Sequence, residues 1–248
     1  MATVIDWMKT SLLIAAVEVL QDDTVNPSMW VVAGVAISTA VNQGLGVPGA
    51  SAESLLKRLP VMPFGDQPVV TEALGKLPSE KVRSEVIEGL RDPSTSDRHF
   101  DLFVDVISGP AHSGHVSDSI LLDLCDRHLT DYKIKILAAL IESISEAASL
   151  DPRTLILIRD KWASSESSRV RETSIIVARL LPVDAEFICL ALNDPAPRVR
   201  LSMAHELVFT EKPNELVMDA LAERIYVEEH PEVLSALWSA QAAFEPKK

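Results

Sequence analysis

Apolar residues recur at the spacing of an α-helix along almost the whole chain, and no segment alternates strictly between apolar and polar residues over a strand length. Because a strand has a side-chain period of two and a helix one of 3.6, this pattern predicts an all-α fold with essentially no sheet. Asn26 and Asp151 each precede a proline, which is typical of a helix cap followed by the first helical residue. Ser79, Ser117 and Asp131 are further candidate caps.

Prolines and glycines divide these apolar segments into separate helices. Only 9 glycines and 5% aromatic residues are present, which also argues against a β-rich fold with many tight turns. The predicted helices span 3–21, 27–43, 51–59, 67–77, 80–91, 97–107, 117–129, 131–148, 152–163, 168–181, 184–192, 197–210, 214–227 and 231–244.

The charge balance restricts the class of partner. The chain has 248 residues, with 23 basic and 36 acidic side chains and a net charge of −13. A chain this acidic has no general electrostatic attraction to nucleic acid or to an anionic membrane. Nucleic acid is therefore disfavoured as a partner, and no motif calls for a cofactor.

Two further features predict the cellular location. The longest apolar run covers residues 29–41, which is shorter than the roughly 20 residues that a membrane-spanning helix needs. Cys125 and Cys189 are too few for a disulfide framework, so a reducing compartment is expected. We therefore expect a cytoplasmic protein that does not bind membranes.

The second half of the chain contains a repeated helix opening in which an apolar residue lies between two mostly basic ones. The central residues of successive openings are separated by 52, 36, 29 and 34 positions, and the last three intervals are the length of a helical-hairpin repeat. One such hairpin cannot bury its own apolar stripe, so consecutive hairpins are expected to stack around a shared core. The openings begin at Lys81, Lys133, Arg169, Arg198 and Glu232.

The segment from Asn193 to Ala204 resembles the HEAT-repeat signature, in which an Asp-Pro turn precedes Val-Arg at the start of a second helix. Asp194, Val199, Arg200 and Ala204 match that pattern. The resemblance implies a HEAT-like α-solenoid of stacked hairpins over 63–248. This architecture is shared by scaffolds, adaptors, inhibitors and a few enzymes, so the resemblance implies a fold more than a function.

Residues 1–62 do not follow the repeat and form a separate N-terminal segment of apolar helices. Residues such as Leu12, Ile14 and Val32 make these helices unusually apolar. We expect the segment to cap the end of the solenoid core. The alternative is a homodimer surface, because an uncovered apolar patch is rare on a monomer. The sequence leaves the choice between monomer and homodimer open.

The arginines at the helix openings have two interpretations. In HEAT-like stacks the second-helix arginine reaches a turn carboxylate of the adjacent repeat, and this internal ladder is our preferred expectation for Arg83, Arg171 and Arg200. The alternative is a basic stripe on the surface that contacts acidic peptides or phosphates. Under that alternative, Arg171 and Arg200 are partner-binding candidates.

Acidic residues concentrate near the C-terminal end, where Glu215, Asp219 and Glu223 recur every four positions. This spacing places three carboxylates on one helix face. We expect a non-catalytic protein-binding scaffold or adaptor whose acidic helical-repeat surface docks a basic protein partner. A second possibility is an inhibitor of the immunity type that neutralises a basic, nucleic-acid-acting enzyme.

One set of residues has the composition of a zinc site. His112, His115, Cys125 and His128 all carry side chains that ligate zinc, and the last two are three positions apart on one predicted helix. The spacing does not ensure tetrahedral convergence, and Cys125 lies at core spacing from neighbouring leucines. We therefore predict no bound metal and keep this set as an alternative.

An enzymatic alternative follows from the HEAT-like DNA glycosylases that remove alkylated bases. Such enzymes need an accessible aromatic residue and a carboxylate beside a basic surface. Trp162 lies close to Asp160 and Arg159, but the net charge opposes binding to duplex DNA. We expect Trp162 to be a packing residue and the chain not to be an enzyme.

Overall fold

The computed structural model describes residues 2–210 and 214–244, and side chains within these ranges apart from those of 2–10, 49, 64 and 146–148. Over these ranges the chain is helical and contains no strand, as the apolar periodicity predicts. None of the helices in this part of the chain has both the length and the hydropathy required to cross a membrane.

Fourteen α-helices follow one another over the described residues, with short 3-10 turns at Leu59–Val61, Phe64–Asp66 and Ser113–His115. The α-helices are α1 (Ala2–Gln21), α2 (Pro27–Asn42), α3 (Gly49–Arg58), α4 (Gln67–Lys76), α5 (Glu80–Arg91), α6 (Asp97–Ser108), α7 (Asp118–Cys125), α8 (Asp131–Ala148), α9 (Pro152–Ala163), α10 (Ser168–Ala178), α11 (Ala185–Leu192), α12 (Pro197–Leu207), α13 (Glu215–Val227) and α14 (Pro231–Phe244).

Side-chain caps begin several of these helices. Asn26, Ser79 and Asp151 each accept a hydrogen bond from a backbone N–H of the first turn, at 3.0, 3.2 and 2.8 Å. Ser117 makes no such bond. Asp131 is already the first residue of α8, and the hydroxyl of Thr130 accepts the N–H of Lys133 instead.

The helices divide into two compact units. The first contains residues up to His128 together with 146–149, and the second contains 129–145 and the residues from Leu150 onward. The boundary predicted at residue 62 lies inside the first unit. The assignment of residues 1–62 as a cap on a solenoid stays a prediction.

In the first unit, α2, α4 and α6 form one layer, and α1, α3 and α5 form another. α2 packs on α4 and α4 on α6, while α1 packs on α3 and α3 on α5. The core between the layers consists of fully buried aliphatic and aromatic side chains. Among them are Leu20, Ile37, Leu55, Leu74, Val86 and Phe100.

Two glycines let the ends of α4 and α6 approach closely in this unit. A Cβ atom on Gly109 would overlap the Cα and carbonyl atoms of Gly75. The backbone N–H of Ala111 donates to the carbonyl oxygen of Gly75 at 2.9 Å. Close contact between two backbones is a steric requirement that glycine satisfies because it has no Cβ.

The second unit has the same two-layer order. α10 packs on α12 and α12 on α14, while α11 packs on α13, and each hairpin pairs one helix from each layer. We call α10, α12 and α14 the inner helices and α9, α11 and α13 the outer helices. Their apolar faces enclose one core, which includes Ile175, Leu192, Val199, Leu207, Leu221 and Leu237.

Candidate functional site

Arg171 on α10 connects its own hairpin to the next one. Its Nε and Nη2 atoms donate to the two carboxylate oxygens of Asp194 at 2.7 and 2.9 Å. Its Nη1 atom donates to the carbonyl oxygens of Ser165 and Glu166, both at 2.9 Å. The planar guanidinium is suited to this arrangement, because its donors point at a carboxylate on one side and at a turn on the other.

Arg200 on α12 repeats this geometry one hairpin later. Nε and Nη2 donate to the two oxygens of Glu228, each at 2.7 Å. Nη1 donates to the carbonyl oxygens of Asp194 and Pro195 at 2.8 and 3.1 Å. Asp194 therefore lies between both arginines, and we call Arg171, Asp194, Arg200 and Glu228 the arginine ladder.

The acidic members of the ladder are held in their ionised form. Hydrogen bonds from Arg200 lower the pKa of Glu228 to about 2, against the opposing effect of burial, and further bonds from the N–H of His230 and from Arg224 add to this. Burial raises the pKa of Asp194, but the bonds from Arg171 and from the N–H of Ala196 outweigh that effect and lower it overall. Both carboxylates of the ladder are therefore ionised at neutral pH.

The internal ladder expected for Arg171 and Arg200 is present, and it removes the basis for these two residues as surface candidates. Their guanidinium donors are taken up by their own chain, and Arg200 is buried. Arg83 differs from them, because it is half-buried and forms no ion pair within the described residues. The expectation of a ladder at Arg83 is therefore wrong.

The first basic residue of the openings of α10 and α12 has a different environment. Arg169 and Arg198 are exposed, and Arg198 pairs with Glu172 at 2.6 Å. Together with Lys135 they line a cavity of about 380 Å³, to which Asp131 and Glu172 also contribute. Both basic and acidic side chains line this cavity, so it has no single sign of charge.

The three carboxylates predicted to share a face do so. Glu215, Asp219 and Glu223 are all exposed on outer helix α13, and none of them forms an ion pair with another described residue. We call these three residues the acidic row. Unpaired carboxylates on one face of a helix present a local negative potential to solvent.

Tyr226 extends the acidic row and was not identified from the sequence. It is 90% exposed, and it lies eleven positions after Glu215, a spacing that returns to the same helix face at 3.6 residues per turn. Leu216, at the start of the same helix, is also mostly exposed. The spacing of Tyr226 would have placed it on this face, but periodicity alone does not distinguish an exposed tyrosine from a buried one.

The structure does not assemble the zinc alternative. His112 is buried and its Nε2 lies 3.0 Å from the carbonyl oxygen of Leu74, whereas His115 and His128 are exposed and Cys125 is buried. Across the described residues, no group of three or more His, Cys, Asp or Glu side chains is arranged to hold a metal ion.

His112 is held as a neutral residue by its surroundings. Burial lowers its pKa and the charge of Arg83 acts in the same direction, which together outweigh the opposing effect of the bond to Leu74. Because a carbonyl oxygen only accepts, Nε2 carries the proton and donates it. The Nδ1 atom is buried and has no hydrogen-bond partner among the described residues.

Two of the three residues of the glycosylase alternative, Trp162 and Arg159, are buried, and Asp160 is exposed. Trp162 is only 2% exposed. Arg159 is also buried, donates to Asp160 and to Asp184 at 2.8 Å, and stacks over the ring of Phe187. Trp162 is a packing residue, as expected, and has no access to a DNA base.

Comparison with models of known protein families and with curated proteins finds no match to this chain.

Proposed function

We propose that this chain is a non-catalytic protein-binding scaffold or adaptor with a HEAT-like α-solenoid architecture. In this proposal the acidic row on α13 docks a basic segment of a protein partner. The free thiols of Cys125 and Cys189 favour action in the reducing cytoplasm.

Two features of the second unit support the HEAT-like architecture. The inner helices stack on one another in chain order, and the outer helices stack beside them. Arg171 and Arg200 then make equivalent contacts, 29 positions apart, to a turn of their own hairpin and to an acid of the next. A contact that recurs with the repeat is typical of a solenoid in which each hairpin contacts its neighbours.

The observation that carries the functional proposal is the exposed acidic row, whose members pair with no other described residue, together with Tyr226 at its end. Elsewhere in this unit, acids such as Asp194, Glu206 and Glu228 are paired with arginines of the same chain. The row and its tyrosine match a partner segment rich in lysine or arginine, since arginine pairs with carboxylates and stacks on tyrosine rings. Charge complementarity of this kind gives fast and specific association.

The experiment compares partner capture by the tagged wild-type chain and by a triple variant, Glu215→Gln with Asp219→Asn and Glu223→Gln. A lysate of the source organism is passed over each chain at low and moderate salt, and the bound proteins are identified by mass spectrometry. We expect the wild type to retain a stoichiometric basic protein that is released by salt. The triple variant should bind it at least about tenfold more weakly, because the charge complementarity is lost.

A matched control removes the same number of charges elsewhere, with Glu18→Gln, Glu80→Gln and Glu85→Gln, which are all exposed. This control should capture the partner as the wild type does. Equal loss in both variants would show a general effect of net charge, and full retention by the triple variant would contradict the proposed site. A nucleic-acid-acting enzyme as the captured protein would favour an inhibitor over a scaffold.

A further inference from the structure

Two basic side chains lie in one cavity of the second unit without an acid of their own. The cavity is the one of about 380 Å³ that Lys135, Arg169 and Arg198 line on α8, α10 and α12, and we call it the inner cavity. Lys135 and Arg169 are exposed, and neither side chain forms an ion pair or a hydrogen bond with another described residue. Most arginines of this unit are paired with an acid, namely Arg159, Arg171, Arg179, Arg198, Arg200 and Arg224.

The positions of these residues along their helices show that two like charges replace an ion pair here. Glu172 is the fifth residue of α10, and it pairs with Arg198, the second residue of α12, at 2.6 Å. One inner-cavity helix earlier, the fifth residue of α8 is Lys135 and the second residue of α10 is Arg169. A cation therefore occupies the position at which α10 carries its acid. Two cations that line one cavity repel each other, and an anion bound between them removes this repulsion.

The acids of the inner cavity do not compensate both cations. Glu172 and Glu206 are already paired with arginines, at 2.6 and 3.2 Å. Asp131 is the lining acid that forms no ion pair with another described residue, and the hydroxyl of Ser167 donates to it at 2.8 Å. Two unpaired cations and one unpaired acid leave an excess of one positive charge in the inner cavity.

The acidity of the whole chain does not decide what this cavity attracts. The net charge is −13, but at physiological ionic strength exposed charges more than about 8 Å apart are largely screened from each other. The side chains that line the inner cavity therefore determine which ligand it favours.

We propose that the inner cavity binds the carboxylate group of a small organic acid between Lys135 and Arg169. The carboxylate takes the place beside Arg169 that Glu172 takes beside Arg198. Its single negative charge matches the excess of one positive charge, and a guanidinium can donate two parallel hydrogen bonds to a carboxylate.

The remaining lining of the inner cavity suits an acid with an apolar body. Ile175 and Ile176 line it, together with Tyr132, which is 45% exposed. A volume of about 380 Å³ lies within the usual range of small-molecule sites. The proposal is independent of the acidic row, which lies on α13.

The experiment titrates the wild-type chain with phenylacetate and with phenylacetamide, its uncharged analogue, by isothermal titration calorimetry. We expect saturable binding of one phenylacetate per chain and at least about tenfold weaker binding of phenylacetamide, because only the carboxylate pairs with the two cations. Inorganic phosphate at the same ionic strength is the third probe. Tighter binding of phosphate than of phenylacetate would overturn the assignment of a carboxylate, and no saturable binding of phenylacetate would overturn the site.

Three variants test which side chains hold the ligand, and circular dichroism checks that each is folded. Arg169→Gln should weaken the binding of phenylacetate at least about tenfold. Lys135→Glu should abolish it without loss of thermal stability, because the new carboxylate supplies the ion pair that α10 and α12 already have. Arg153→Gln is the matched control, since Arg153 is exposed on α9 and does not line the inner cavity, and it should bind phenylacetate as the wild type does.

Two outcomes with these variants would contradict the proposed site. Wild-type affinity for phenylacetate in Arg169→Gln and Lys135→Glu would show that the ligand binds elsewhere. Equal loss of affinity in Arg153→Gln and Arg169→Gln would show a general effect of net charge.

Discussion

Arg200 donates hydrogen bonds to both carboxylate oxygens of Glu228, a residue 28 positions later in the chain, and both side chains are almost completely buried. The same guanidinium also binds two carbonyl oxygens of the turn that precedes its own helix. One side chain thus fixes the distance between two successive hairpins. Arg171 and Asp194 do the same one hairpin earlier.

Replacing Arg200 by methionine should destabilise the second unit strongly. Glu228 would remain buried with only Arg224 as a charged partner, and removal of one member of a buried ion pair typically costs about 3–5 kcal/mol. We expect a loss of about 3 kcal/mol in the free energy of unfolding, measured by urea denaturation. Arg198→Met is the matched control, because Arg198 is exposed and its pair with Glu172 should contribute less than about 1 kcal/mol. Similar losses of unfolding free energy in Arg200→Met and Arg198→Met would contradict the stabilising role of the arginine ladder.

The stability of the second unit should fall in acid because of Glu228. Its pKa is depressed from an ordinary value of 4.5 to about 2, so between these values the unfolded chain binds a proton that the folded chain does not. The stabilisation of the folded chain by ionised Glu228 is therefore complete above about pH 4.5 and is lost as the pH falls toward about 2. One pKa unit corresponds to about 1.4 kcal/mol, so this contribution is roughly 3 kcal/mol.

Urea denaturation of the wild type and of Glu228→Gln from neutral pH down to about pH 3 measures this contribution. The difference in unfolding free energy between the two proteins should be largest near neutral pH and should shrink below about pH 4.5. A difference that stays constant over this range would show that Glu228 titrates normally in the folded chain.

A methyl group at Gly109 should destabilise the first unit. In Gly109→Ala the new Cβ would overlap the backbone of Gly75, and backbone atoms cannot move aside as a flexible side chain can. We expect a loss of about 1–3 kcal/mol, the usual cost of overpacking, measured by thermal or urea unfolding. Gly46→Ala is the control, since a Cβ at Gly46 meets no atom within 4 Å and should leave stability nearly unchanged. Wild-type stability of Gly109→Ala would contradict the close contact.

Helix positions were predictable from the sequence because the signals that start and stop a helix are local. The predicted segments 80–91, 152–163 and 231–244 coincide with α5, α9 and α14. The prediction for 168–181 runs past the end of α10 at Ala178. There the N–H groups of Leu180 and Leu181 donate to carbonyl oxygens three residues back, which tightens the chain into turns before Pro182. Apolar spacing continues through such turns, so it does not reveal where the helix ends.

The candidate residues were less predictable, because their roles depend on neighbours that are distant in sequence. The exposure of Tyr226 and the burial of His112 follow from which helices lie beside them. The sequence did not identify Glu228 as the partner of Arg200, because the acid in the turn of the HEAT-repeat signature is an aspartate followed by proline. Asp194 and Glu228 each accept a hydrogen bond from the backbone N–H two residues later. The recurrence of an acid at this place in two successive turns would have been the signal.

The sequence by itself determined that this chain is built from successive helices, since caps such as Asn26 and Ser79 and the 3.6-residue period act within one segment. Only the tertiary structure decided that Glu228 is the acid that Arg200 reaches. Arg198 and Arg200 have the same chemistry and lie two positions apart, which places them about 200° apart around one helix. The hairpin that packs on one side buries Arg200 against Glu228, while Arg198 remains exposed. That choice depends on contacts between separate hairpins, which no local pattern encodes.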